Sequence, residues 1–298
     1  MKMRRFIIVF ILCIGLLLLF GLSANYIANR MDRFDGTRAF QDVVYQDNLG
    51  ARIPGSVAHS QTIEWISQEL TKNGWSVEKE ECPNCLQPLT NIIGKIGGGD
   101  EWIILGAHFD SRQLADRDPI LTNRIFPVPG ANDGASGVAI LLELSRNLTK
   151  ETHKQIWLVF FDAEDNGGIE NQDWIYGSRY FVQDKILTLT PGQYPDAAII
   201  VDMVGDRNLN LYYEANSTEY LSKEIWSQAE KLGYAQFIPT IKYRMLDDHT
   251  PFLEVGIPSV DIIDFDYPYW HTTEDTQDKV SSESLEAVGS TLLSWLEK

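Results

Sequence analysis

The sequence predicts an α/β domain, a three-layer sandwich with a mixed central sheet and helices on both faces, preceded by one N-terminal transmembrane helix. Three observations carry that reading. Amphipathic stretches of helical period alternate with short apolar runs along most of the chain. Several of those runs are apolar without alternation, the mark of strands buried on both faces. An uncharged run at 6–24 follows a basic tip formed by Lys2, Arg4 and Arg5.

That run, FIIVFILCIGLLLLFGLSA, would reach about 28 Å as a helix, close to the hydrocarbon thickness of a bilayer. A cleaved signal peptide has a shorter apolar region and small residues at its cleavage site. The one candidate here, Leu22-Ser23-Ala24, begins with a bulky Leu, and Cys13 lacks the small neighbours of a lipid-attachment box. The expectation is an uncleaved signal anchor over 1–31, its basic end cytoplasmic, and a catalytic domain over 32–298 outside the cytoplasm.

Within the domain, packed structure is expected from near Ala39. His59–Asn73 has helical spacing, with Ile63, Ile66 and Leu70 on one face and Gly74 as the stop. Trp75–Glu81 alternates as a strand. Asn91–Ile96 and Trp102–Phe109 read as strands joined in a hairpin by the GGGD turn at 97–100. Asp133–Asn147 is a helix that buries Val138, Leu141, Leu142 and Leu144. Gln155–Asp162, Ala197–Asp202 and Pro258–Ile263 are buried strands. Ser217–Leu232 is an amphipathic helix closed by Gly233, and Ser281–Leu296 is the terminal helix. No second linker interrupts the order.

Composition removes some functions. With 42 acidic against 25 basic residues the chain carries a formal charge of −17. Nucleic-acid binding needs the opposite balance, as does peripheral binding to anionic lipid. The acidic field favours cationic ligands, among them the free amino end of a peptide. Three cysteines are too few for a disulfide framework. Cys82 and Cys85 have no second pair with which to build a four-thiolate zinc site. Outside the cytoplasm they read as a short structural disulfide, the alternative being two free thiols.

The acids fall at the ends of strands: His108 and Asp110 after one, Asp162, Glu164 and Asp165 after another, then Asp202 and Asp206, then Asp261 and Asp264. In open α/β sheets ligands bind at the carboxyl ends of the strands, so these carboxylates should converge. Two of them about 4 Å apart repel by roughly 4 kcal/mol at an effective dielectric near 20. Such a cluster must share protons or hold a cation, and His108 with His271 points to zinc over magnesium or calcium.

GAHFDS at 106–111, PGANDGASG at 129–137, FFDAED at 160–165, YGSR at 176–179, DMVG at 202–205, DDHTPF at 247–252 and WHTTED at 270–275 occur in the order found in the M28 zinc peptidase family, which the chain resembles after about residue 38. RIPGS at 52–56 is similar to that family's N-terminal RxxGS. The resemblance implies a sandwich around a mixed eight-stranded sheet. It implies Asp133, Asp165 and His271 as primary zinc ligands and Glu164 as general acid/base. It gives His108 and Asp202 as second-metal ligands in the aminopeptidase branch. In the glutaminyl cyclase branch one zinc is held, and Asp202 joins a hydrogen-bond chain. Asp247 before Asp248-His249, Trp270 before His271, and a Glu-Asp pair at 164–165 resemble the cyclases. There Asp247 and Trp270 bind substrate, and Trp174 is the residue that could complete the pocket. The expected activity is conversion of N-terminal glutamine to pyroglutamate with release of ammonia. The alternatives are a two-zinc aminopeptidase and an inactive M28-like ectodomain. The expected partners are peptides or proteins with a free N-terminus and the membrane, not nucleic acid, and the chain is expected to be a monomer.

Other residues receive plainer expectations. His249 buttresses its helix, and His59 and His153 lie at the surface. Ser136 and Ser178 serve tight turns, since no G-x-S-x-G elbow is present. The aromatic residues of 265–269 either line the substrate entrance or fill a loop.

Overall fold

The computed structural model describes residues 34–298 except 191; the apolar run at 6–24 and its basic tip lie outside the described residues. No described helix is long and apolar enough to cross a membrane.

The domain opens with a helix that the sequence reading left unassigned, α1 (Gly36–Leu49), capped by Asp35, whose carboxylate accepts from Arg38 N. Its buried face is Gly36, Ala39, Asp42, Val43 and Gln46, too polar to register as an apolar stripe. The polarity is matched from α3 (Ala135–Asn147): Arg146 Nη2 donates to Asp42 Oδ1 at 3.1 Å, and Arg38 Nε donates to Glu143 Oε2 at 2.6 Å. Between them lies α2 (Val57–Lys72), capped by Ser56.

The main sheet has six strands: β1 (Ser76–Cys82), β2 (Leu89–Ile96), β3 (Trp102–His108), β4 (Gln155–Phe161), β5 (Ala197–Asp202) and β8 (Ser259–Ile263), in the order β1-β2-β4-β3-β5-β8. β1 and β2 form the antiparallel hairpin, and Cys82 and Cys85 are joined by a disulfide at its end. β2 also pairs antiparallel with β4, and from β4 through β3 and β5 to β8 all pairing is parallel. The expected hairpin between β2 and β3 does not form, because β4 lies between them, with Ile92 opposite Phe160 on one side and Ile104 opposite Trp157 on the other. Every residue of β3 is buried, so the strand needs a neighbour on each edge. The GGG stretch serves a close crossing instead of a turn: a Cβ on Gly99 would lie 1.5 Å from the carbonyl oxygen of His153.

The eight strands implied by the family resemblance are present, but not in one sheet. β6 (Leu211–Glu214) and β7 (Phe237–Tyr243) pair parallel in a separate two-stranded sheet, with a register shift after Tyr212. α5 (Glu219–Leu232) connects them.

One face of the main sheet is covered by α1, α2, α3 and the terminal helix α7 (Ser282–Leu296). On the other face, Ile93, Ile104, Val159, Phe161 and Ile200 pack with Phe181 of α4 (Tyr176–Phe181) and Phe252 of α6 (Thr250–Glu254). Burial of that aromatic cluster fixes the sheet, and the carboxyl ends of its four parallel strands form one rim.

Candidate active site

The rim gathers the acids. His108 is the last residue of β3, Asp202 the last of β5, and Glu164 and Asp165 follow β4. Asp133 stands just before α3, and His271 lies in the loop after β8 with φ +56°. His271 Nε2 is 2.9 Å from Asp165 Oδ1 and 3.6 Å from Asp133 Oδ2. His108 Nε2 is 3.1 Å from Asp133 Oδ1 and 3.2 Å from Asp202 Oδ1. Two groups capable of holding a metal therefore meet at Asp133: Asp133 with Asp165 and His271, and Asp133 with His108 and Asp202. All five residues are buried.

The first group fits a metal ion on its own chemistry. Asp133 Oδ2 and Asp165 Oδ2 are buried without a hydrogen-bond partner among the described residues, and an unpartnered buried carboxylate oxygen is costly. Two carboxylates and one imidazole are a zinc donor set that leaves a position open. The second group is internally bonded through His108. Burial disfavours the imidazolium there, but the carboxylates of Asp110, Asp133 and Asp202 outweigh it and raise the His108 pKa well above the ordinary value.

A scaffold of backbone hydrogen bonds holds these side chains. Asp110 accepts from Glu164 N at 3.0 Å and Asp165 N at 3.2 Å, which fixes the turn carrying the acid pair. Asp275 accepts from Asn132 N at 2.9 Å and Asp133 N at 3.1 Å, and receives the Tyr267 hydroxyl at 2.6 Å. Fully buried Arg52, from the RIPGS segment, donates to the carbonyl oxygens of Phe109 and Pro129. Arg112 donates to the carbonyl oxygen of Asp165 and grips Asp116 with its other nitrogens. Asp110 is among the acids expected at the rim, though as a converging carboxylate and not as a support; Arg112 and Asp275 carry no expectation of their own. Asp275 lies inside the WHTTED motif, which was the available signal. His59 corrects an expectation: it is buried, with Nε2 2.7 Å from Asp162 Oδ1 and its ring stacked on Phe109. Its partner comes from another strand end, so spacing along the chain could not reveal it. His153 is exposed, as expected. Ser136 and Ser178 bond to backbone, Ser136 Oγ donating to Asn132 O and Ser178 Oγ to Ile175 O.

Above the metal-binding group is a pocket of about 200 Å³. Glu164, Asp202 and Asp247 supply its acids, and Trp174, Trp270 and Phe265 its aromatic walls. The Trp174 ring lies parallel to His271 at 6.0 Å, and Trp270 stacks against His271 at 3.9 Å. Gly167 leaves room for Trp174, since a Cβ there would come within 2.1 Å of the indole. Phe265 meets Trp270 edge-on, while Tyr267 points inward to Asp275, so the 265–269 stretch does both of the jobs considered for it. The pocket is lined by Asp133, Glu164, Asp165, Trp174, Asp202, Asp247, Trp270 and His271, while His108 lies behind it, against Asp133 and Asp202.

The acids of the pocket hold protons tightly. Burial, reinforced by Asp165, Asp248 and Asp247, pushes the Glu164 pKa well above the carboxylate range, against the pull of His108. Burial raises Asp202 to about 7, with Asp247 and Asp133 adding to it and His108 opposing. Asp247 is likewise raised by burial. Beside it, His249 is buried with Nε2 3.3 Å from Glu214 Oε2 and Nδ1 3.8 Å from Asp261 Oδ2. Glu214 in turn accepts from Met245 N at 2.9 Å and Ser217 N at 2.7 Å, tying β6 to the segment that carries Asp247.

Residues 91–296 match the model of peptidase family M28, and the chain belongs to that family. Among its relatives is the glutaminyl-peptide cyclotransferase of Dictyostelium discoideum, 25% identical over 291 residues, which cover 80% of this chain and 78% of the relative. The glutaminyl-peptide cyclotransferase of Boiga dendrophila is 28% identical over 278 residues, covering 80% of this chain and 74% of that one. Among solved structures, Bacteroides thetaiotaomicron glutaminyl cyclase bound to N-acetylhistamine superposes with a TM-score of 0.83 at 31% identity, covering 89% of this chain and 98% of the other.

Proposed function

We propose that this protein is a zinc-dependent glutaminyl-peptide cyclotransferase, which converts N-terminal glutamine of peptides to pyroglutamate and releases ammonia. The observation that carries the reading is the small aromatic pocket, sized for one side chain, with Glu164, Asp202 and Asp247 facing the Asp133–Asp165–His271 group. The relatives named as cyclotransferases and the cyclase structure support it.

Asp133, Asp165 and His271 would hold one zinc, which when bound polarises the γ-carbonyl of the glutamine side chain. Trp174 and Trp270 flank that side chain and exclude water. The substrate's α-amine attacks the γ-carbonyl carbon; a C–N bond forms and the bond to the amide nitrogen breaks. Glu164 accepts the amine proton and returns it to the departing ammonia, a role suited to a carboxyl whose pKa is raised. Asp202 and Asp247 share protons and receive hydrogen bonds from the nitrogens as their charge changes. His108, bridging Asp133 and Asp202, takes the place of a second metal.

The His108–Asp133–Asp202 group is also the observation behind a second reading, a two-zinc aminopeptidase. One assay separates the two. Incubated with a glutaminyl peptide, the purified protein should release ammonia, leave the peptide bond intact and contain one zinc per chain. Release of free amino acids with two required zincs overturns the cyclotransferase assignment.

The domain acts on peptides and proteins with free N-termini, as a monomer and without nucleic acid. Residues 1–31 form a signal anchor and 32–298 the catalytic domain, held outside the cytoplasm. The length and flank of the run at 6–24 support this, as does the Cys82–Cys85 disulfide, which persists in oxidising compartments.

A further inference from the structure

A pocket of about 200 Å³ takes one side chain, so the rest of a peptide substrate must leave it through an adjoining space. A second cleft of about 620 Å³ has Trp174, Trp270 and His271 in common with that pocket. It carries two arginines in different states, each laid on a tryptophan shared with the pocket. Arg112 is saturated by Asp116 and by the carbonyl oxygens of Asp165 and Gly167. Arg117 is exposed, and its guanidinium has no hydrogen bond or ion pair among the described residues; it lies over the Trp270 ring, 5.3 Å from the centroid. Its backbone N–H donates to His271 O at 3.2 Å, which ties its position to the metal-binding group. A planar guanidinium laid on an indole keeps its donors pre-oriented at little further entropy cost, and its chemistry matches a carboxylate. An unpaired arginine at a cleft mouth stands out in a chain of net charge −17.

We propose that Arg117 is a specificity residue that receives an acidic side chain in the position directly after the N-terminal glutamine. The proposal rests on the cyclotransferase reading and deepens it by naming the preferred peptide class. A second-position residue stands one extended-chain step of about 3.5 Å beyond the glutamine, and the guanidinium lies 5.3 Å from the centroid of the Trp270 ring that borders the pocket.

The test uses C-terminally amidated peptides Gln-Glu-Ala and Gln-Gln-Ala, which differ only in the second-position carboxylate. The full-length protein is compared with Arg117→Gln and Arg117→Glu. The ratio of kcat/KM for the Glu peptide over the Gln peptide should fall about two- to five-fold in Arg117→Gln, the worth of one exposed charge pair. It should fall further in Arg117→Glu, with KM carrying the change, and the difference should shrink in high salt. Comparing ratios cancels the general repulsion of acidic peptides by the acidic protein. Equal ratios in all three proteins, with both peptides cyclised, overturn the subsite and leave the activity standing. Failure of the unaltered protein to cyclise either peptide overturns the activity and the subsite with it.

Discussion

Glu164 sits where its backbone is fixed and its carboxyl is not. Asp110 accepts its N–H, yet its side chain faces the pocket among Asp165, Asp247 and Asp248. Glu164→Gln removes the proton carrier and keeps the shape. Cyclisation should fall by about 10²–10⁴ in kcat, the usual worth of a positioned acid/base, while zinc content and melting temperature hold. Elemental analysis and thermal unfolding of the same sample check all three. Legibility at this scale followed chemistry. Glu164, Asp165, Asp202 and His108 could be found because they end strands, and parallel strands deliver their ends to one rim. Arg52, Asp110 and Asp275 support the site through backbone N–H and C=O groups. A backbone contact leaves no pattern of residue types, so Asp110 was legible only as a strand-end acid, and Arg52 and Asp275 only through family motifs.

At the scale of elements, two joints turn on buried charge. Arg146 of α3 meets Asp42 of α1, Glu69 of α2 and its own Glu143, with the arginine 12% exposed. Arg146→Met leaves buried Asp42 without its cation, while Glu143 keeps Arg38 and Glu69 keeps Lys72. It should cost about 3–5 kcal/mol, read as a lower urea midpoint. The same joint explains why α1 escaped the sequence reading: its inward face is paired rather than apolar. Strand order was hidden for a different reason. Each strand of the main sheet was recognisable from its own residues, whereas β6 and β7 were not, and the passage of β4 between β2 and β3 is decided by packing partners remote in sequence. The second joint is the β1–β2 hairpin, where Glu80 faces Asn91. Glu80 Oε2 accepts from Asn91 Nδ2 at 2.7 Å, but Oε1 is buried without a hydrogen-bond partner. Burial pushes its pKa up to about 7, against Asn91 and Lys185. The folded state therefore binds this proton more tightly than the unfolded chain, whose glutamate titrates near 4.3. The associated stability is fully present below that value and is lost as pH rises through about 7. Glu80→Gln cannot ionise, so it should melt higher than the unaltered protein at pH 8. The gap should be on the order of 2–3 kcal/mol and should close by pH 4. A gap that does not change with pH would contradict the assignment.

For the whole molecule, the question is where an acidic catalytic domain works. The described residues carry their own core and the two candidate metal-binding groups that meet at Asp133. The run at 6–24 has the length of a membrane span. A domain with this acidic excess would be repelled by anionic lipid, so the proposed attachment rests on the apolar run and not on the surface. Full-length protein should therefore stay with membranes through an alkaline carbonate wash, whereas a chain beginning at residue 32 should be soluble and cyclise glutaminyl peptides with unchanged kcat. Added protease should reach the domain from the extracytoplasmic side. The Cys82–Cys85 pair should be blocked to thiol reagents until reduced, as expected where disulfides persist. N-terminal sequencing supplies the opposing outcome. A mature protein starting just after Ala24 would make the run a cleaved leader; the domain would then be secreted, and the disulfide would stand while the anchor fell.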